Sequence, residues 1–109
     1  MGIGKLREAF YFSIKRHLMF IVVNHTIFKT ENFWSSSQEL VSKLPHNGVR
    51  RLVNTFPNET MDRCICIWEA ESIECLNEYL TNFIGEWSRQ SYFQINEEAS
   101  VGLNKELLS

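Results

Sequence analysis

The feature that most constrains this chain is the order in which two hydrophobic periodicities alternate between Met19 and Leu103. Leu18 to Thr26 is rich in β-branched and aromatic residues and turns polar at Asn24, His25 and Thr26, which predicts a buried strand with a polar end. Thr30 can then cap a helix, with Glu31 in its first turn. Phe33, Ser37, Leu40 and Leu44 recur every three or four residues, flanked by Trp34 and Val41, so one helix face is apolar. Pro45-His46-Asn47-Gly48 ends it, because proline lacks a backbone donor and Asn-Gly accepts turn conformations that most residues resist. A second strand is predicted over Val49 to Phe56 and a turn over Pro57 to Thr60. Arg63 to Glu69 runs through Cys64, Ile65, Cys66, Ile67 and Trp68, as a central strand covered on both faces would. Ser72 can cap a second helix carrying Ile73, Leu76, Leu80, Phe83 and Trp87, with Gly85 marking its end. The closing strand is predicted at Tyr92 to Asn96.

Strand, helix, strand, strand, helix, strand is the split β-α-β, or ferredoxin-like, order: an α+β fold with a four-stranded antiparallel sheet and both helices on one face. The expected organisation is an amphipathic N-terminal extension over 1–17, the ferredoxin-like domain over 18–103 and a short tail over 104–109. A strand apolar on both faces needs cover on the side that the helices leave open. A second copy of the chain supplies it reciprocally, so a homodimer is the expected partner.

Composition narrows the functional classes. In 109 residues, 44% hydrophobic, eight Phe, three Trp and three Tyr are many rings for one small domain to hide, which favours an interface or a pocket for a small apolar or aromatic ligand. Eleven basic against 13 acidic residues, without a sustained positive block in the central region, argue against nucleic acid as a partner. Cys64, Cys66 and Cys75 are odd in number and sit in apolar surroundings, which predicts reduced thiols and a cytoplasmic protein. The apolar run Leu18 to Val23 is far short of the roughly 20 residues of a membrane-spanning helix, and no small-residue cleavage site follows it. Leu6 breaks the myristoylation pattern.

Four polar or aromatic residues stand out as ligand-binding candidates: His25, Glu69, Trp68 and Asn24. The expected topology makes the first and third strands adjacent and parallel, with His25 and Glu69 near their carboxyl ends, so the two side chains can meet at one end of the sheet and share a proton or a metal. Two ligands still fall short of a familiar catalytic metal site. Regular alternation would put Asn24 and Thr26 on the face opposite His25, with Trp68 and Gln94. Cys64 and Cys66 share a strand face several ångströms apart, with neither a Cys-x-x-Cys turn nor a second cysteine pair, and read as small apolar side chains. Trp34 and Trp87 read as helix-to-sheet packing. Phosphate loops, nucleophile elbows, zinc-helix motifs and dinucleotide fingerprints are missing, so no catalytic residue, cofactor or metal is assigned from motifs.

His25-Thr26 at a strand end, Cys66-Ile67-Trp68-Glu69-Ala70 and Tyr92-Phe93-Gln94-Ile95 together resemble the dimeric α+β barrel superfamily, especially its small members of unknown activity. The likeness runs from Phe20 to Leu103. It implies the ferredoxin-like fold and two-fold pairing, in a superfamily holding monooxygenases, isomerases, haem-degrading proteins and metal binders; fold does not choose among them. The resulting expectation is a homodimer that binds a small molecule or metal near the sheet. The alternatives are a cofactor-independent monooxygenase-like oxidoreductase, which would confine an electron-rich substrate in a shaped pocket, and a purely structural dimer.

Overall fold

The computed structural model describes residues 18–105; the expected N-terminal extension over 1–17 and the last four residues of the chain lie outside the described part. Its elements are β1 (Met19–Ile27), α1 (Thr30–Ser42), β2 (Val49–Pro57), β3 (Arg63–Ala70), α2 (Ile73–Ile84) and β4 (Ser88–Gln94). The sheet order is β2-β3-β1-β4, with every neighbouring pair antiparallel. This is the ferredoxin-like fold.

Direction follows from the connections. The α1 crossover returns the chain parallel to β1, and the tight β2–β3 turn reverses it, so β3 must run against β1. The expected parallel pairing of the first and third strands is therefore wrong. In the antiparallel register, His25 faces Cys64 while Glu69 faces Phe20.

One sheet face carries Ile21, Val23, His25 and Ile27 from β1 and Cys64, Cys66, Trp68 and Ala70 from β3, all buried beneath the helices. Leu76, Leu80 and Ile84 of α2 and Phe33 and Leu40 of α1 close this core. Each large apolar side chain buried there contributes about 1.5–3 kcal/mol. The N-terminus of α2 is capped as expected, Ser72 Oγ accepting from the Cys75 N–H at 3.0 Å. Helix α1 differs: Lys29 occupies the capping position without a side-chain bond, and Thr30 is already helical. Asn47 and Gly48 both have positive φ, which lets His46 and Val49 exchange backbone bonds of 2.9 and 2.8 Å across the turn. A Cβ at Gly48 would also lie 3.1 Å from Cys75 Sγ.

The last strand begins four residues earlier than its apolar pattern predicts, at Ser88. β4 is an edge strand whose inward polar residues are satisfied by hydrogen bonds, so alternation of apolar side chains does not mark it. Ser88 Oγ donates to the Ile84 carbonyl at 2.9 Å. Trp87 accordingly falls in the turn after α2 instead of on the helix, and its carbonyl accepts from the Phe28 N–H at 2.7 Å. Trp34 is half-buried on α1, and its indole N–H donates to the Met61 carbonyl at 3.0 Å, tying the helix to the β2–β3 turn.

The opposite sheet face has no helix. At one end, Phe20 and Glu69 are buried, with Arg51 donating from Nε to Glu69 Oε1 at 2.9 Å and from Nη2 to the Asn104 carbonyl at 3.0 Å. Towards the other end, Phe56, Phe93 and Ile65 remain 58%, 54% and 45% exposed.

Candidate functional site

Between α1 and the helix-covered sheet face lies a cleft of about 360 Å³, within the usual range for small-molecule sites. Its walls are mostly apolar, with Phe33, Leu40 and Val41 from α1, Leu52 from β2, Trp68 from β3 and Leu80 from α2. Val41 and Thr55 are exposed parts of the lining, so the cleft reaches the surface. It exists because α1 buries only Phe33 and Leu40, while its middle presents the short Ser37 to the sheet.

His25 stands in this lining, 3% exposed. Its Nδ1–H donates to Gln90 Oε1 at 2.9 Å, leaving Nε2 as the unprotonated acceptor. Ser88 Oγ donates to the same Gln90 oxygen at 2.6 Å, and the Phe33 ring meets the imidazole edge-on at 5.3 Å. Burial pulls the imidazole pKa below its ordinary value, more than the Gln90 bond raises it. His25 is consequently neutral at neutral pH.

Trp68 lies on the same face as His25, contrary to the alternation expected from sequence. In the pairing of Ile21 with Trp68 and His25 with Cys64, all four point to the helices. The Trp68 indole N–H is buried without a hydrogen-bond partner among the described residues. An unsatisfied buried donor of this kind costs about 1–3 kcal/mol.

Cys64 and Cys66 also line the cleft, with their sulfurs 3.4 Å apart and Thr55 Oγ1 2.8 Å from Cys66 Sγ. The hydrogen bond from Cys66 holds the Cys64 thiol down to about 7, aided by Thr55 and opposed by burial. The same contact and burial push Cys66 up.

The other two candidates lie elsewhere. Asn24 sits on the face without helices, paired with Ile65 and Ser91. Glu69 is five strand positions from the His25 level, about 17 Å along the sheet, and faces the other way, held by Arg51 at 2.9 Å and Arg50 at 3.8 Å. The proposed His25–Glu69 pair does not form. Among the described residues, no three His, Cys, Asp or Glu side chains converge in a metal-binding group. Gln90 and Thr55 escaped the sequence reading: neither belongs to a motif, and the only signal for Gln90 was a polar residue inside an unrecognised edge strand.

Fold and site together define a ferredoxin-like α+β protein with a ligand-sized apolar cleft under its first helix. No protein-family profile matches the chain, and no curated protein matches it in sequence. Among solved structures, it is similar to "Putative antibiotic biosynthesis monooxygenase from Nitrosomonas europaea", with a TM-score of 0.50 and 10% identity over 72% of this chain and 88% of that one. It is also similar to a "Conserved Protein of Unknown Function from Bacteroides thetaiotaomicron VPI-5482", described as "Possible Oxidoreductase", with a TM-score of 0.49 and 16% identity over 72% of this chain and 98% of that one. At such identities the first likeness speaks for the fold alone. No helix among the described residues is long and apolar enough to cross a membrane.

Proposed function

We propose that this chain is a homodimeric binding protein for a small apolar or aromatic molecule bearing one hydrogen-bond acceptor, held in the cleft between α1 and the sheet. The observation that carries this reading is the buried, unpartnered N–H of Trp68, a residue that lines the mostly apolar cleft. A ligand oxygen supplied there would recover the cost of the buried donor, while the rest of the molecule displaces water from apolar walls. Dimerisation is supported by Phe56, Ile65 and Phe93, which leave an apolar surface on the uncovered sheet face. The reduced thiols suit a cytoplasmic setting.

The second reading, a cofactor-independent oxidoreductase acting on an electron-rich phenol, is favoured by His25. A neutral imidazole with its Nδ1–H engaged by Gln90 presents Nε2 as a base to a substrate hydroxyl. One experiment separates the readings: oxygen uptake and ligand affinity are measured with a panel of phenols and naphthols, for the wild type and for His25→Gln and Trp68→Phe. Binding alone predicts no oxygen uptake and at least a fivefold loss of affinity in Trp68→Phe. Uptake abolished by His25→Gln with affinity retained establishes the enzyme. No binding of any compound, with a dimer intact, leaves the purely structural dimer.

A further inference from the structure

Neither reading uses the two thiols. We propose that Cys64 and Cys66 form a dithiol clamp for a trivalent organoarsenical, whose organic group lodges in the apolar cleft. Four features carry this assignment, which stands whichever reading of the cleft holds.

The first is spacing. The sulfurs lie 3.4 Å apart on one face of β3. With bonds to sulfur of about 2.3 Å, a captured atom with a near-right-angled, pyramidal arrangement holds two sulfurs about 3.3 Å apart, whereas a linear centre demands about 4.6 Å. Trivalent arsenic is pyramidal; two-coordinate copper(I) or mercury(II) is linear. Second, a disulfide is the wrong bridge. Residues two apart on a strand have Cβ atoms about 6.6 Å apart, and a disulfide needs roughly 3.5–4.5 Å.

The third feature is ligand number. With no third His, Cys, Asp or Glu converging among the described residues, a zinc ion would lack half of its protein ligands. An arsenic atom carrying one carbon substituent needs two sulfurs and nothing more. The fourth is charge. The product of two thiols and an arylarsonous centre is neutral, as an apolar cleft requires, while copper(I) between two thiolates keeps a buried negative charge. The step balances without electrons: two arsenic–oxygen bonds break, two arsenic–sulfur bonds form, the thiol protons leave as water, and arsenic stays trivalent. The Cys64 thiolate, favoured near neutral pH, attacks first.

The test is intact-mass measurement of the folded protein with phenylarsine oxide in excess glutathione. A single adduct is expected, gaining one phenylarsenic unit less two hydrogens and reversed by 2,3-dimercaptopropanol. Peptide mapping of the wild type should show Cys64 and Cys66 protected from iodoacetamide and Cys75 not, a readout that needs no variant. Cys64→Ser and Cys66→Ser should each lose the adduct, and Cys75→Ser should keep it. Inorganic arsenite, which has no group for the cleft, should bind at least tenfold more weakly. An absent adduct, protection centred on Cys75 or arsenite binding equally well would overturn the proposal.

Discussion

Replacing Phe93 by serine should split the proposed dimer while leaving the subunit folded. Phe93 is 54% exposed and pairs with Val22 on the face that lacks helices. A phenylalanine offers about 200 Å² of surface, so about 110 Å² per subunit, and about 220 Å² across a two-fold interface, is available for burial. At about 25 cal/mol per Å² this amounts to about 5 kcal/mol. Interface area converts to affinity incompletely, because ordering and edge solvation oppose it; half the value, about 2–3 kcal/mol, weakens the dimer about 30- to 150-fold. The same change in an isolated subunit removes only the roughly 90 Å² of the ring that the subunit itself covers and should cost at most about 2 kcal/mol. Sedimentation velocity across a thousandfold dilution, with urea unfolding at the lowest concentration, measures both. An unchanged dimer constant in Phe93→Ser, or a wild type that sediments as a monomer at every concentration, would refute the reasoning.

Three further outcomes are expected. Arg51→Met should cost about 2 kcal/mol in urea unfolding, since the buried Glu69 loses its 2.9 Å partner and keeps Arg50 at 3.8 Å; adding Glu69→Gln should restore part of it. Because burial lowers the folded-state pKa of His25, the unfolded chain binds the extra proton more readily, so stability should fall as pH drops through about 6.5, by at most about 1.4 kcal/mol per unit from this group. Thermal melts of His25→Phe should lack that component, and an identical slope would remove His25 as its source. Alkylation of Cys64 by iodoacetamide should rise with a midpoint near pH 7, and Cys66→Ala, which deletes the donor, should move the midpoint up towards the ordinary thiol range of about 8.5; a midpoint there already in the wild type would contradict the thiol pairing.

What the sequence determined by itself is local in origin. Helical spacing of Phe33 and Leu40, the Ser72 cap and the doubly apolar run through Cys64 to Trp68 each express an interaction within a few residues, and their order leads to the ferredoxin-like fold. Tertiary structure decided strand direction and which side chains share a face. Antiparallel pairing of β1 and β3 carried Glu69 about 17 Å from His25 and turned it to the other side of the sheet. The same pairing brought Trp68, Cys64 and His25 into one cleft, while Asn24 went to the uncovered face. Alternation along a strand says only that neighbours point opposite ways; the absolute face and the partner come from the connections and the long-range register, and a shift of one residue reverses every assignment. For the same reason Ser88 and Gln90 escaped notice: an edge strand satisfied by hydrogen bonds leaves no apolar period to read, and only the folded sheet sets Gln90 beside His25.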